Sequence, residues 1–341
     1  MKKSNFVFCL LMFFSVASVS AQSKYKIINR IPIPGNGGWD YITMDESTSR
    51  LYISHGNEVN VFDVTTNKLL GTIPDTKGVH GITLAKDLNK GFISNGRDTS
   101  VTVIDLKTLK TIAKVKVTGN NPDAILFDPY SQKVFTFNGR SSNSTVIDAK
   151  TNKVVGTIKL SGKPEFPVSD LKGKIFVNIE DKNSISVINA NTLKVEQIWS
   201  VAPGESPSGL AIDLKNHRLF SVCENNKMVV VDELTGKVVT TLKIGSGVDG
   251  VSFDPGLNRV YSSNGEGTMT VVQGKDANTY TVLENVPTQK GARTITINTK
   301  THTLYLPTAQ YNEAPAPTTE NPHPRASVKP GTFTVLETGL K

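Results

Sequence analysis

Apolar and polar residues alternate in short runs along nearly the whole chain, and clusters of Asp, Asn, Gly, Pro and Thr separate the runs. A period of two sends successive side chains to opposite faces, so the runs predict half-buried β-strands joined by tight turns. The hairpins "VNVFDVTTNKLLGTI", "VTVIDLKTLKTIAKV", "STVIDAKTNKVVGTI", "ISVINANTLKVEQIW" and "MVVVDELTGKVVTTL" align without gaps on Asp63, Asp105, Asp148, Asn189 and Asp232, with a degenerate sixth at Gln273. Their spacings are 42, 43, 41, 43 and 41 residues. A second hairpin family precedes them, for example "DAILFDPYSQKVFTFN" and "DGVSFDPGLNRVYSSN", and it recurs seven times. Four strands per period of this length predict an all-β, WD40-like architecture, a seven-bladed β-propeller with four antiparallel strands per blade.

The last blade lacks an outer strand, because the chain stops shortly after "TFTVLETG". The segment "YKIINRIPI" (25–33) has the pattern of the outer strand "KVVTTLKI" (237–244) and is expected to complete blade seven, closing the ring and leaving few open sheet edges.

The tetrapeptides "YISH", "FISN", "FTFN" and "YSSN" at 52–55, 92–95, 135–138 and 261–264 resemble the Tyr-Val-Thr-Asn motif of the YVTN-repeat propellers, and the chain resembles YncE-like exported proteins of that family over residues 24–340. Blades four, five and seven depart from the motif with "FVNI", "FSVC" and "YLPT". The resemblance implies a propeller that serves as a binding module, with DNA among the ligands linked to YncE-like proteins; the wider superfamily also contains enzymes.

Residues 1–21 read as a signal peptide: Lys2 and Lys3, an apolar stretch from Phe6 to Ala17, and a small-residue site at Val19-Ser20-Ala21. This predicts one domain over 22–341 in a periplasmic or secreted protein. No later run approaches the roughly 18 apolar residues of a membrane-spanning helix. Cys9 would leave with the signal, so Cys223 has no cysteine partner and reads as a small core residue. Loss of Lys2 and Lys3 lowers the formal charge from +8 to +6. The lysines are dispersed over strand edges and turns without interleaved aromatics, so nucleic acid is a weakly supported partner. The expected partner is a small ligand, a cell-wall component or a protein, bound by a monomer.

Alignment of the blades sorts the acidic residues. Asp45, Asp128, Asp170, Asp213 and Asp254 share a turn position with Ala85 and Asn298, and Asp63, Asp105, Asp148 and Asp232 share another; a short polar side chain there bonds local backbone. A different column opens each innermost strand: Asp40, His80, Asp123, Glu165, Ser208, Asp249 and Arg293. It is polar throughout, yet changes type from blade to blade, as turn chemistry would not require. A further column, His55, Asn95, Asn138, Ile179, Cys223, Asn264 and Thr308, ends the second strands and is expected at the same mouth. His55 and His80 read as hydrogen-bonding groups, with metal ligation as the alternative. His217 and His302 read as solvated turn residues. Trp39 either covers the channel or packs between blades one and seven.

Four carboxylates held close raise one another's pKa unless a cation or basic ligand neutralises them, so Ca²⁺ or Mg²⁺ among Asp40, Asp123, Glu165 and Asp249 is one expectation and a water-filled polar channel the other. The segment 309–331 interrupts the repeat on the same face and is expected to lie across the opening, bringing Tyr311, Glu313, His323 or Arg325 near the inner column. The chain carries no Gly-x-Ser-x-Gly, His-Glu-x-x-His, Cys-x-x-Cys-His or P-loop motif. A binding module is the leading expectation. The alternative is a divalent-metal-dependent hydrolase or lyase of lactonase-like type, with Glu165 or His80 moving a proton.

Overall fold

The computed structural model describes residues 25–35, 37–316, 318–319, 324 and 326–340. The signal-peptide reading of residues 1–21 therefore lies outside the described residues. Among the described residues, 28 strands form seven four-stranded antiparallel sheets, each a blade. In blade one the strands run outward as Ile42–Asp45, Arg50–His55, Glu58–Asp63 and Lys68–Ile73. The innermost strands of the next five blades are Val79–Ala85, Pro122–Asp128, Pro164–Ser169, Pro207–Asp213 and Val248–Asp254, and blade seven begins at Thr296–Asn298. Among the described residues, helix is confined to two single-turn 3₁₀ segments, Lys86–Leu88 and Glu180–Lys182.

The ring closes as the sequence predicts. Tyr25–Pro32 is the outermost strand of blade seven and pairs with Thr334–Leu340 in a register running from Tyr25↔Leu340 to Pro32↔Thr334. Tyr25 also reaches blade six: its hydroxyl lies 2.6 Å from that of Tyr261 and accepts from Arg259 Nη1 at 2.9 Å.

Core residues interleave between neighbouring blades, as in the cluster of Phe220, Val222, Val230, Val248, Val260 and Val272 from blades five and six. The turn aspartates do what their spacing predicts. Asp63 Oδ1 accepts from the backbone N–H groups of Thr65 and Thr66, and Asp105, Asp148 and Asp232 repeat the arrangement. Asp254 accepts from Gly256 N at 2.9 Å and Asp213 from Lys215 N at 3.0 Å. The turn histidines differ from their reading as solvated groups. His302 Nδ1 bonds the fully buried Asp254 across blades six and seven at 2.7 Å, and His217 Nδ1 bonds buried Glu233 at 2.7 Å. A buried carboxylate needs a partner, and imidazole supplies one here. Cys223 is buried and burial raises its thiol pKa to about 12, in keeping with a packing role.

Candidate functional site

The heads of the innermost strands converge on the propeller axis, so residues about 41 positions apart in sequence become neighbours. His80 Nδ1 lies 2.6 Å from Asp40 Oδ2 and 3.4 Å from Asp123 Oδ1. Arg293 Nε donates to Asp249 Oδ2 at 2.7 Å, and its Nη2 lies 3.5 Å from Asp40 Oδ1. Ser208 Oγ donates to the other Asp249 oxygen at 2.5 Å. One polar chain therefore runs Asp123–His80–Asp40–Arg293–Asp249–Ser208 around the mouth. Glu165 stands beside it, paired with Lys163 Nζ at 2.8 Å, and Lys163 also bonds Glu180.

The backbone under these side chains is clamped from the adjoining blade. Ser94 of blade two donates to Asp123 O at 2.5 Å, Ser263 of blade six to Arg293 O at 2.5 Å, and Thr294 of blade seven to Asp40 O at 2.7 Å. Asn178 of blade four donates to Ser208 O at 2.9 Å. Each clamp bonds a carbonyl that the short innermost strand leaves unpaired at its head, and it fixes where the ring side chain starts. Sequence reasoning missed these residues, although Ser94, Asn178 and Ser263 share a regular place one residue before the end of the second strand; Thr294, just ahead of the innermost strand of blade seven, does not follow that pattern.

Below the ring the axis turns apolar. A cavity of ≈ 320 Å³ is walled by Ile82, Ile125, Phe166, Leu210 and Ile295 among others. The rings of Tyr41 and Phe166, from opposite blades one and four, meet edge to face with centroids 5.2 Å apart. Thr43, Thr83, Ser252 and Thr296 also line it, so the walls below the mouth are mixed, with apolar side chains predominating and the charged groups gathered at the mouth.

Electrostatics follow from this crowding. Burial alone would lower the His80 pKa, but the Asp40 hydrogen bond and the Asp123 and Asp40 charges outweigh it and push it up to about 9. Burial raises Asp123, the Asp40 charge adds to the rise, and His80 offsets part of it. Burial, the Glu180 hydrogen bond and the Asp123 charge hold Glu165 well above the usual carboxylate range despite Lys163. Asp249 is also raised by burial, with Arg293 pulling against it. Partial burial and the charges of Asp249 and Glu180 raise Glu224 on the rim. Six carboxylates at the mouth, Asp40, Asp123, Glu165, Glu180, Glu224 and Asp249, thus face three basic groups, His80, Lys163 and Arg293.

The four carboxylates expected to share a Ca²⁺ or Mg²⁺ ion do not form one such group, because Arg293 holds Asp249 and Lys163 holds Glu165. Among the described residues, the three whose ligand atoms all lie within 4.8 Å of one another are Asp40, His80 and Asp123. The second column is not at the mouth. Asn95, Asn138 and Asn264 are fully buried and donate to side-chain oxygens of the next strand: Ser100 and Thr102, Asn143 and Thr145, Thr268 and Thr270. His55 likewise bonds Asn60 at 3.1 Å, and burial lowers its pKa. These side chains brace hairpins, because the parity of the second strand turns them into the blade. Trp39 packs between blades one and seven, stacked on Phe333 with centroids 5.2 Å apart. Of the long segment, Tyr311 pairs with Val328 and its ring lies 6.1 Å from that of Trp39; Glu313 is exposed, and His323 and Arg325 lie outside the described residues.

No family model matches this sequence, and no curated protein does. Solved structures are similar in fold. A chain of hydrazine synthase from Kuenenia stuttgartiensis aligns with a TM-score of 0.70 at 17% identity, covering 80% of this chain and 94% of that one. A chain of a mitotic checkpoint complex aligns with a TM-score of 0.73 at 10% identity, covering 90% and 96%. The chain is a β-propeller. At such identities the likeness carries the fold and nothing of the site, so function has to be argued from the mouth itself.

Proposed function

We infer that the protein is an exported β-propeller binding module whose axial mouth receives a small ligand bearing a positively charged group. The observation that carries this reading is the imbalance at the mouth, where carboxylates outnumber basic groups two to one on backbone pinned by the neighbouring blade. Such a site is preorganised, so a ligand cation gains electrostatic contact with little ordering cost. The propeller fold suits a binding module, and the YVTN-like tetrapeptides and the N-terminal segment support an exported, YncE-like relative. A polyanion such as nucleic acid is repelled at this face and would have to use the dispersed lysines elsewhere. No helix of the described residues is long and apolar enough to cross a membrane.

The test is a thermal-shift and calorimetric panel of small amines, basic amino acids and polyamines against matched acids and an oligonucleotide. Basic members are expected to raise Tm in the wild type, and Asp249→Asn and Glu224→Gln to blunt the rise. A panel in which no amine stabilises the protein, or in which both variants respond like the wild type, defeats the reading.

The lactonase-like alternative draws its support from the Asp40–His80–Asp123 group. Glu165, its candidate proton carrier, is engaged by Lys163, and His80 by two carboxylates, so neither stands free as a base.

A further inference from the structure

We propose that Asp40, His80 and Asp123, at the heads of the innermost strands of blades one to three, form a binding site for a first-row divalent transition ion, with His80 Nδ1, Asp40 Oδ2 and Asp123 Oδ1 as ligands. The inference rests on the mouth being a recognition site and names the cation it takes at this point. Ligand atoms around a tetrahedral ion with bonds of about 2.0–2.2 Å stand roughly 3.3 Å apart. The separations here, 2.6 Å and 3.4 Å from His80 Nδ1, bracket that value, so small side-chain rotations suffice. One imidazole nitrogen with two carboxylate oxygens favours Zn²⁺ or its first-row neighbours over Ca²⁺ and Mg²⁺, which take oxygen. All three side chains keep some exposure to solvent, which leaves a coordination position open on the mouth side.

The surroundings hold these donors in place as outer groups do in metal sites. The far edge of the His80 ring, with Nε2, lies where a Cβ on Gly96 would come within 2.5 Å, and the same Cβ would come within 2.8 Å of Asn121 Oδ1. The Asn121 side chain lies beside that edge of the ring and also donates to Asp123 Oδ2 from its Nδ2 at 3.4 Å, so one residue stands against two ligands. Nε2 faces Gly96, and Nδ1 is the nitrogen turned to the carboxylates. Arg293 sits at the second oxygen of Asp40, leaving the first for an ion. Asp249 and Glu165 are excluded by their own basic partners.

The full chain, stripped with EDTA and dialysed, is titrated with Zn²⁺ by calorimetry, and bound zinc is counted by elemental analysis after desalting. One ion per chain is expected. His80→Gln and Asp123→Asn should weaken binding by about 30-fold or more, and Asn121→Ala by about 10–100-fold, the usual loss on removing an outer partner. His302→Gln, which alters an imidazole at the opposite end of the innermost strands, should bind as wild type. Circular dichroism accompanies each variant; if a ligand variant does not fold, Asn121→Ala, whose side chain touches the donors without being one, decides. No retained zinc, an affinity indifferent to His80→Gln and Asn121→Ala, or displacement of Zn²⁺ by an equal concentration of Ca²⁺ each overturns the assignment. Failure of Zn²⁺ while the amine panel still binds removes the ion alone; failure of both removes the mouth as a site.

Discussion

Arg293 is the side chain on which the charge balance of the mouth turns, and Arg293→Met tests it. The substitution keeps most of the aliphatic stem and removes the donor to Asp249 at 2.7 Å and the cation near Asp40. Removing one partner of a fully buried ion pair costs about 3–5 kcal/mol, because the other charge is left desolvated and alone. Here the side chains retain 37% and 24% of their exposure, so solvent screening cuts the expected loss to about 1–3 kcal/mol. Unfolding entropy of about 2.1 cal/mol/K per residue, taken over 341 residues, gives roughly 0.7 kcal/mol/K, so Tm should fall by about 1–4 °C. The diagnostic measurement is the double variant Arg293→Met with Asp249→Asn, followed by thermal and urea unfolding. An amide at 249 still accepts from Ser208 but leaves no orphaned charge, so the double variant should recover at least half of the single-variant loss, a coupling above about 0.5 kcal/mol. Strictly additive losses would refute the view that Arg293 serves chiefly to neutralise Asp249.

Other expectations follow from the same structure. Glu165 has a folded-state pKa raised above its unfolded value, so the folded chain holds a proton that the unfolded chain releases, and stability declines as pH rises from the ordinary glutamate range through the raised value; Glu165→Gln should therefore match wild type near pH 4.5 and gain on it steadily to pH 9 in melting curves, and a constant difference would contradict the assignment. Tyr25→Ala should cost about 3–5 kcal/mol, since it removes a buried ring and its link to Tyr261 and Arg259, whereas Ile28→Ala on the exposed face of the same strand should cost less than about 0.5 kcal/mol; comparable losses would undo the closure argument. Gly96→Ala places a Cβ 2.5 Å from His80 Nε2, so the imidazole must move and its NMR signals should shift while the fold persists; unchanged His80 resonances would show that the ring lies elsewhere.

The blades, their closure and the turn aspartates were legible in the sequence because each is a local consequence of a repeated pattern. The inner column was legible for a related reason, since alignment exposes positions whose residue type varies where a turn would hold it constant. What alignment cannot give is the partner of a side chain. Lys163 lies two positions before Glu165, and the pairing of Pro164 with Ile179 in the first hairpin of blade four sets Glu180 beside Lys163, so the lysine occupies a carboxylate expected to be free. The asparagines that end the second strands were assigned to the mouth by position, whereas strand parity turns them inward. A signal was present: hydroxyl or amide residues follow at five and seven positions after Asn95 and Asn138, and at four and six after Asn264. Trp39 was ambiguous because an indole before a polar residue suits both a lid and a packing wedge. Phe333, nearly the whole chain away, decides it.

The pairing of Tyr25–Pro32 with Thr334–Leu340 has a temporal consequence. During synthesis Tyr25–Pro32 has no mate until Thr334–Leu340 has been made, so the circle stays unlatched until all seven blades have been translated. Final locking is thereby deferred until the two strands farthest apart in sequence can meet.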